Sequence, residues 1–140
     1  MKSIKRVLVQ VAAVLDHAHA GRVIHGDLKP SNVMIMVDGT VKVLDFGIGL
    51  EARKTAAKLS WSEALGSPAY MAPEQELGTT FKESDFFSLG VLLYEMLTGK
   101  LPFEGPNFLA QKREMRFLPP SRLVPDTPKE ADEILRKALQ

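Results

Sequence analysis

His25-Gly26-Asp27-Leu28-Lys29-Pro30-Ser31-Asn32 leads directly into Val33–Val37, a β-rich run that turns at Asp38-Gly39 and returns through Thr40–Leu44 to Asp45-Phe46-Gly47. Asp-Gly between two runs of branched apolar residues is a strong hairpin signal. The first polar motif therefore enters a hairpin and the second leaves it. Asn32 and Asp45 are expected at the same end of that hairpin, close enough to share an ion. Only 24 residues stand before His25.

Upstream, Ile4, Val7, Leu8, Val11, Val14, Leu15 and Ala18 recur at helical spacing. They predict a first helix over 3–20, with Ser3 available as N-cap and Gly21 as the stop. Val23-Ile24 is a short extended piece. Downstream, Glu51–Ala69 has no sustained periodicity and reads as a long loop, a length usually reserved for function. From Asp85 to Leu97 the chain is apolar nearly all round, which predicts a buried central helix over 85–98 closed by Gly99. Asn107–Met115 is a weaker helix. Thr127-Pro128-Lys129-Glu130 is a capping box with proline at the first helical position, so a final helix is expected over 128–139. The fold class is mainly α with a small β-hairpin. The chain ends on that helix with no terminating signal, and a truncated domain is the expectation.

A chain of 140 residues suits one domain, and 45% apolar with 25% charged residues is ordinary for a soluble globular protein. The net charge of +1 gives no electrostatic reason for a nucleic-acid or membrane-surface partner. Without cysteine there is no disulfide framework and no thiolate zinc site, which fits a cytoplasmic location. Met1–Arg6 does not open a signal peptide, and Phe86–Leu97 is too short and too polar to span a bilayer. His17, His19 and His25 raise a metal reading, but i and i+2 on a helix face apart, so packing and hydrogen bonding are favoured. Arg53, Lys54 and Lys58 read as a solvated face.

Four motifs in this order resemble the C-terminal lobe of the eukaryotic-type Ser/Thr protein kinases, the bacterial ones especially. Asp27-Leu28-Lys29-Pro30-Ser31-Asn32 resembles the catalytic loop (25–32 with its histidine), followed by the hairpin 33–44. Asp45-Phe46-Gly47 resembles the magnesium-binding turn. Gly66-Ser67-Pro68-Ala69-Tyr70-Met71-Ala72-Pro73-Glu74 resembles the end of the activation segment, which would run over 45–74. Ser84-Asp85-Phe86-Phe87-Ser88-Leu89-Gly90 resembles the start of the family's central helix. The resemblance implies a partial kinase domain over 1–140: the C-terminal lobe of a protein-kinase-like α+β fold.

It also implies a chemistry, with ATP and Mg2+ as cofactors and protein Ser/Thr hydroxyls as substrate. Phosphoryl transfer is mostly positioning and neutralisation of charge on the moving group. Asp27 would accept the substrate hydroxyl proton and aim that hydroxyl. Lys29 would face the γ-phosphate, and a lysine there is typical of Ser/Thr specificity. Asp45 and Asn32 would supply hard oxygen ligands to Mg2+. Ser67 stands where the family usually has a threonine tying the substrate loop to the base and lysine. Asp85 would brace the catalytic-loop backbone, or serve only as an N-cap.

Three departures bear on the reading. Gly26 replaces the family's arginine, which normally receives the activation-loop phosphate, so phosphorylation at Thr55, Ser60 or Ser62 is not expected to order the loop through it. The N-terminal lobe, with its glycine loop, lysine and hinge, is absent and would come from the parent chain or a partner. Glu74 would lack the arginine it pairs with beyond Gln140. Both cuts should expose apolar surface. Two further readings stand beside the kinase fragment. One is a catalytically inactive kinase-like scaffold or regulatory module. The other is a small-molecule phosphotransferase, because His-Gly-Asp-Leu followed by Asn also occurs in aminoglycoside- and choline-kinase-like families. Those usually lack Ala72-Pro73-Glu74 and the Asp85–Gly90 helix start.

Overall fold

The computed structural model describes residues 1–47 and 68–140. Most of the loop expected over 51–69, together with Thr55, Ser60, Ser62 and Ser67, lies outside the described residues. The first helix, α1, is Lys2–Ala20, capped by Met1 rather than Ser3 and without a side-chain cap. Gly21 caps its end in a right-handed conformation, and Arg22 takes the left-handed one at φ 60°. Arg22 and Val23 N–H groups return to the carbonyls of His19 and Ala18, which satisfies the last turn in the Schellman manner.

The hairpin pairs β1 (Val33–Ile35) with β2 (Val41–Val43) in antiparallel register, Val33 opposite Val43 and Ile35 opposite Val41. The two-residue Asp38-Gly39 turn is corrected to a three-residue loop. Met36 N–H bonds the Thr40 carbonyl at 2.8 Å, Gly39 N–H bonds the Met36 carbonyl at 2.8 Å, and Gly39 sits at φ 83°. A type I turn followed by one left-handed residue matches strand twist as well as a two-residue turn does. Gln10 of α1 fastens the hairpin: its Oε1 accepts from Val41 N–H at 3.0 Å, and its Nε2 donates to the Gly39 carbonyl at 3.1 Å.

Beyond residue 67 come α2 (Pro73–Glu76), α3 (Lys82–Thr98), α4 (Phe108–Arg113), α5 (Pro120–Leu123) and α6 (Lys129–Ala138). The predicted 85–98 helix starts three residues early, because the Ser84 hydroxyl accepts from Phe81 N–H at 3.0 Å and opens the first turn. Gly99 ends it at φ 69°, its N–H on the Glu95 carbonyl at 2.8 Å. The final helix begins at Lys129, with Pro128 rather than Thr127 as cap.

α3 separates two apolar clusters. Leu92 joins Val11, Leu15, Leu28 and Val41 on one side, under α1 and the hairpin. Phe87, Val91 and Tyr94 join Ala72, Phe103, Leu135 and Leu139 on the other. Full burial of each large side chain here is worth about 1.5–3 kcal/mol. α3 is not buried all round, as its composition suggested: Phe86 and Met96 are exposed. Phe86 lies on an open apolar groove of about 660 Å3 between α1, α3 and α6, where Val9 and Ile134 are also exposed.

Candidate active site

Asp85 lies inside α3 and is not its N-cap; its carboxylate is only 1% exposed. Oδ1 accepts from Gly26 N–H at 2.8 Å, and Oδ2 from His25 N–H at 2.9 Å. His19 Nε2 meets the same Oδ2 at 2.7 Å, with its ring edge-on to Phe86. A buried carboxylate needs such donors, since an unpaired one costs far more than any single bond returns. Two consecutive backbone amides of the loop are thereby held against the central helix.

His25 is wholly buried and fixes the loop to the second motif. Its Nε2 donates to the Leu44 carbonyl at 2.8 Å, while Nδ1 accepts from Asp27 N–H at 3.1 Å. Those two partners select the tautomer with the proton on Nε2. The ring stacks edge-on to Phe46 at 4.6 Å, and Gly47 N–H bonds the His25 carbonyl at 3.2 Å. One side chain thus ties Asp27 on one side to the Leu44–Gly47 turn on the other.

Asp27 and Lys29 pair at 3.3 Å and both remain partly open to solvent. Pro30–Asn32 is a single 3-10 turn that buries Asn32, whose Nδ2 donates to the Asp27 carbonyl at 2.8 Å. Leu44 N–H bonds the Asn32 carbonyl at 2.8 Å, so the hairpin ends place Asp45 one residue beyond Asn32's neighbour. Asp45 is exposed and takes φ 62°, a left-handed conformation that aspartate tolerates better than most residues. The hairpin spacing had placed Asn32 and Asp45 at the same end, and the Leu44–Asn32 bond puts their backbones there.

The loop is also held from behind. Gln75 of α2, 2% exposed, donates from Nε2 to the Gly26 carbonyl at 2.9 Å and accepts at Oε1 from Ala72 N–H at 2.9 Å. Glu74 makes no ion pair among the described residues; its Oε1 accepts from the Ser84 hydroxyl at 2.5 Å. Sequence reasoning missed Gln75. For His19 it favoured packing and hydrogen bonding, and the ring does both, though Asp85 was not named as its partner. Gln75 had no signal beyond standing next to Glu74.

A family model, Protein kinase domain, matches residues 1–140. The chain belongs to the protein kinase family. Among its relatives is the probable serine/threonine-protein kinase PknB of Bifidobacterium longum, 41% identical over 140 residues, which are 96% of this chain and 20% of that protein. Serine/threonine-protein kinase PrkC of Bacillus subtilis is 34% identical over 98% of this chain and 22% of its own length. PknA of Mycobacterium tuberculosis is 38% identical over 95% of this chain and 31% of its own length. The kinase chain thus spans about a fifth to a third of these relatives, all named as Ser/Thr kinases of bacteria. No described helix is long and apolar enough to cross a membrane.

Proposed function

We propose that this chain is the C-terminal lobe of a Ser/Thr protein kinase and carries the lower half of its phosphotransfer site. The observation behind this reading is the half-open Asp27–Lys29 pair beside Asn32 and Asp45, on a loop pinned from three sides. Asp27 accepts the proton of the incoming Ser or Thr hydroxyl and orients it. Lys29 keeps a cation next to that carboxylate, where charge accumulates on the transferred group. The same pairing keeps the Asp27 carboxylate aimed.

Asn32 and Asp45 fit Mg2+. Asn32's amide nitrogen is committed to the Asp27 carbonyl, so its oxygen is turned to act as the ligand, and Asp45 offers an exposed carboxylate. One carboxylate and one amide oxygen suit Mg2+, which is usually held by one or two carboxylates plus substrate phosphates rather than a protein cage. Held by Asn32 and Asp45, Mg2+ would supply positive charge to neutralise the phosphates of ATP. The glycine loop, lysine and hinge that hold the rest of ATP would come with an N-terminal lobe from the parent chain or a partner, in the cytoplasm.

The deciding experiment is calorimetric titration of the folded chain with MgATP, with Asp45→Ala as control. Magnesium-dependent binding that disappears in Asp45→Ala is the expected result. A folded chain that binds no MgATP would remove the nucleotide site from this polypeptide.

A further inference from the structure

Lys112 is a fully buried charge, its side chain 0% exposed on the short helix α4. Nζ donates to the Pro68 carbonyl at 2.6 Å and to Glu76 Oε2 at 2.9 Å. It also lies over the Phe108 ring at 5.3 Å and the Phe87 ring at 5.9 Å. Burial pushes this ammonium below the ordinary lysine range, and Glu76 only partly restores it. A buried cation of this kind is a poor source of stability, because an apolar side chain of equal length fills the space without the desolvation cost.

What Lys112 does achieve is local. Both of its acceptors bracket one stretch, Pro68–Glu76, and Gln75 of that stretch holds the Gly26 carbonyl beside Asp27. We propose that Lys112 is a positioning residue, a buried cation that pins Pro68–Glu76 to α4 and thereby sets how a protein substrate meets Asp27. The pin stands on geometry alone; its link to substrate rests on the kinase reading.

The test compares the wild-type chain with the double variant Lys112→Met/Glu76→Gln, which removes both charges at similar volume. Hydrogen exchange is read at Met71, Gln75, Leu77 and Gly78, whose N–H groups close the turns of this stretch. Exchange there should quicken at least tenfold, with α1 and α3 amides unchanged and the melting temperature equal or higher. Unchanged exchange overturns the pin, and so does uniform acceleration with a lower melting temperature, the mark of a purely structural role. Should the double variant not fold, Glu76→Gln alone decides: two- to threefold faster exchange at the same amides supports the pin, and none overturns it.

Dephosphorylated casein serves as the Ser/Thr-bearing probe for the substrate link. Its affinity should fall at least fivefold in the double variant while MgATP affinity holds. Equal casein affinity in both proteins, or none in either, overturns the link. Failure of the wild-type chain to bind MgATP removes the nucleotide site from this polypeptide instead, and the exchange data still decide the pin.

Discussion

Asp85 shows how much a single side chain organises here. Three donors converge on its two oxygens, two of them backbone amides of the loop that carries Asp27. Asp85→Asn keeps the shape but replaces one oxygen with a donor, which then faces another donor. Bonds to a buried charged group are worth about 1.5–3 kcal/mol each. Denaturant titration of Asp85→Asn should therefore show a loss of about 2–3 kcal/mol, and a loss under ~0.5 kcal/mol would contradict the tethering role. The resemblance gave both the position of Asp85 and its backbone partners in the catalytic loop, but not the His19 ring on the same carboxylate. His19 and Gln75 act across dozens of residues, and no short-range pattern records a contact of that separation.

At the scale of elements, the long periodic segments could be read and the short ones could not. α1 announces itself through apolar spacing, α3 through a long apolar run and α6 through its capping residues, whereas α2 and α5 are four residues each and too brief to establish a period. The hairpin was legible in its residues but not in its loop, because Asp38-Gly39 serves a three-residue turn as readily as a two-residue one. The all-apolar look of α3 misled for a different reason: it faces two clusters but also the open groove, where Phe86 stays exposed. Gly90 marks the crossing of α3 with α6. A Cβ there would stand 2.9 Å from Ala138 Cβ and 3.1 Å from Leu139 Cδ2. Gly90→Ala gains about 1 kcal/mol of helix propensity, but overpacking two helices costs about 1–3 kcal/mol. A net loss of up to about 2 kcal/mol in chemical denaturation is expected. A stabilised variant would mean that α6 yields.

Over the whole molecule, titration near the second cluster sets the alkaline limit. Burial, then the Glu95 carboxylate that accepts its hydroxyl at 2.6 Å, push the Tyr70 phenol far above its usual value, and burial raises Tyr94 as well. The fold thus keeps protons that the unfolded chain starts to release near pH 10. Stability from these groups is complete below about pH 10 and declines above it. Lys112 acts with the opposite sign, since its lowered value makes stability rise with pH up to about 10.4. Tyr70→Phe should lose about 1 kcal/mol at pH 7 with its hydrogen bond. Its melting temperature should also fall less steeply between about pH 10 and 12 than that of the wild type. An identical alkaline slope in both proteins would clear Tyr70 of the effect.

The Gln10 amide has one more consequence. A two-stranded ribbon leaves an outer rim of unmet donors and acceptors, the template on which chains stack into fibrils. Val41 N–H, on the rim of β2, is already occupied by Gln10 Oε1, and α1 stands alongside it. A foreign strand approaching that rim finds a carboxamide where it needs a backbone donor. By imitating one residue of a neighbouring strand, Gln10 guards the chain against templated growth from this side.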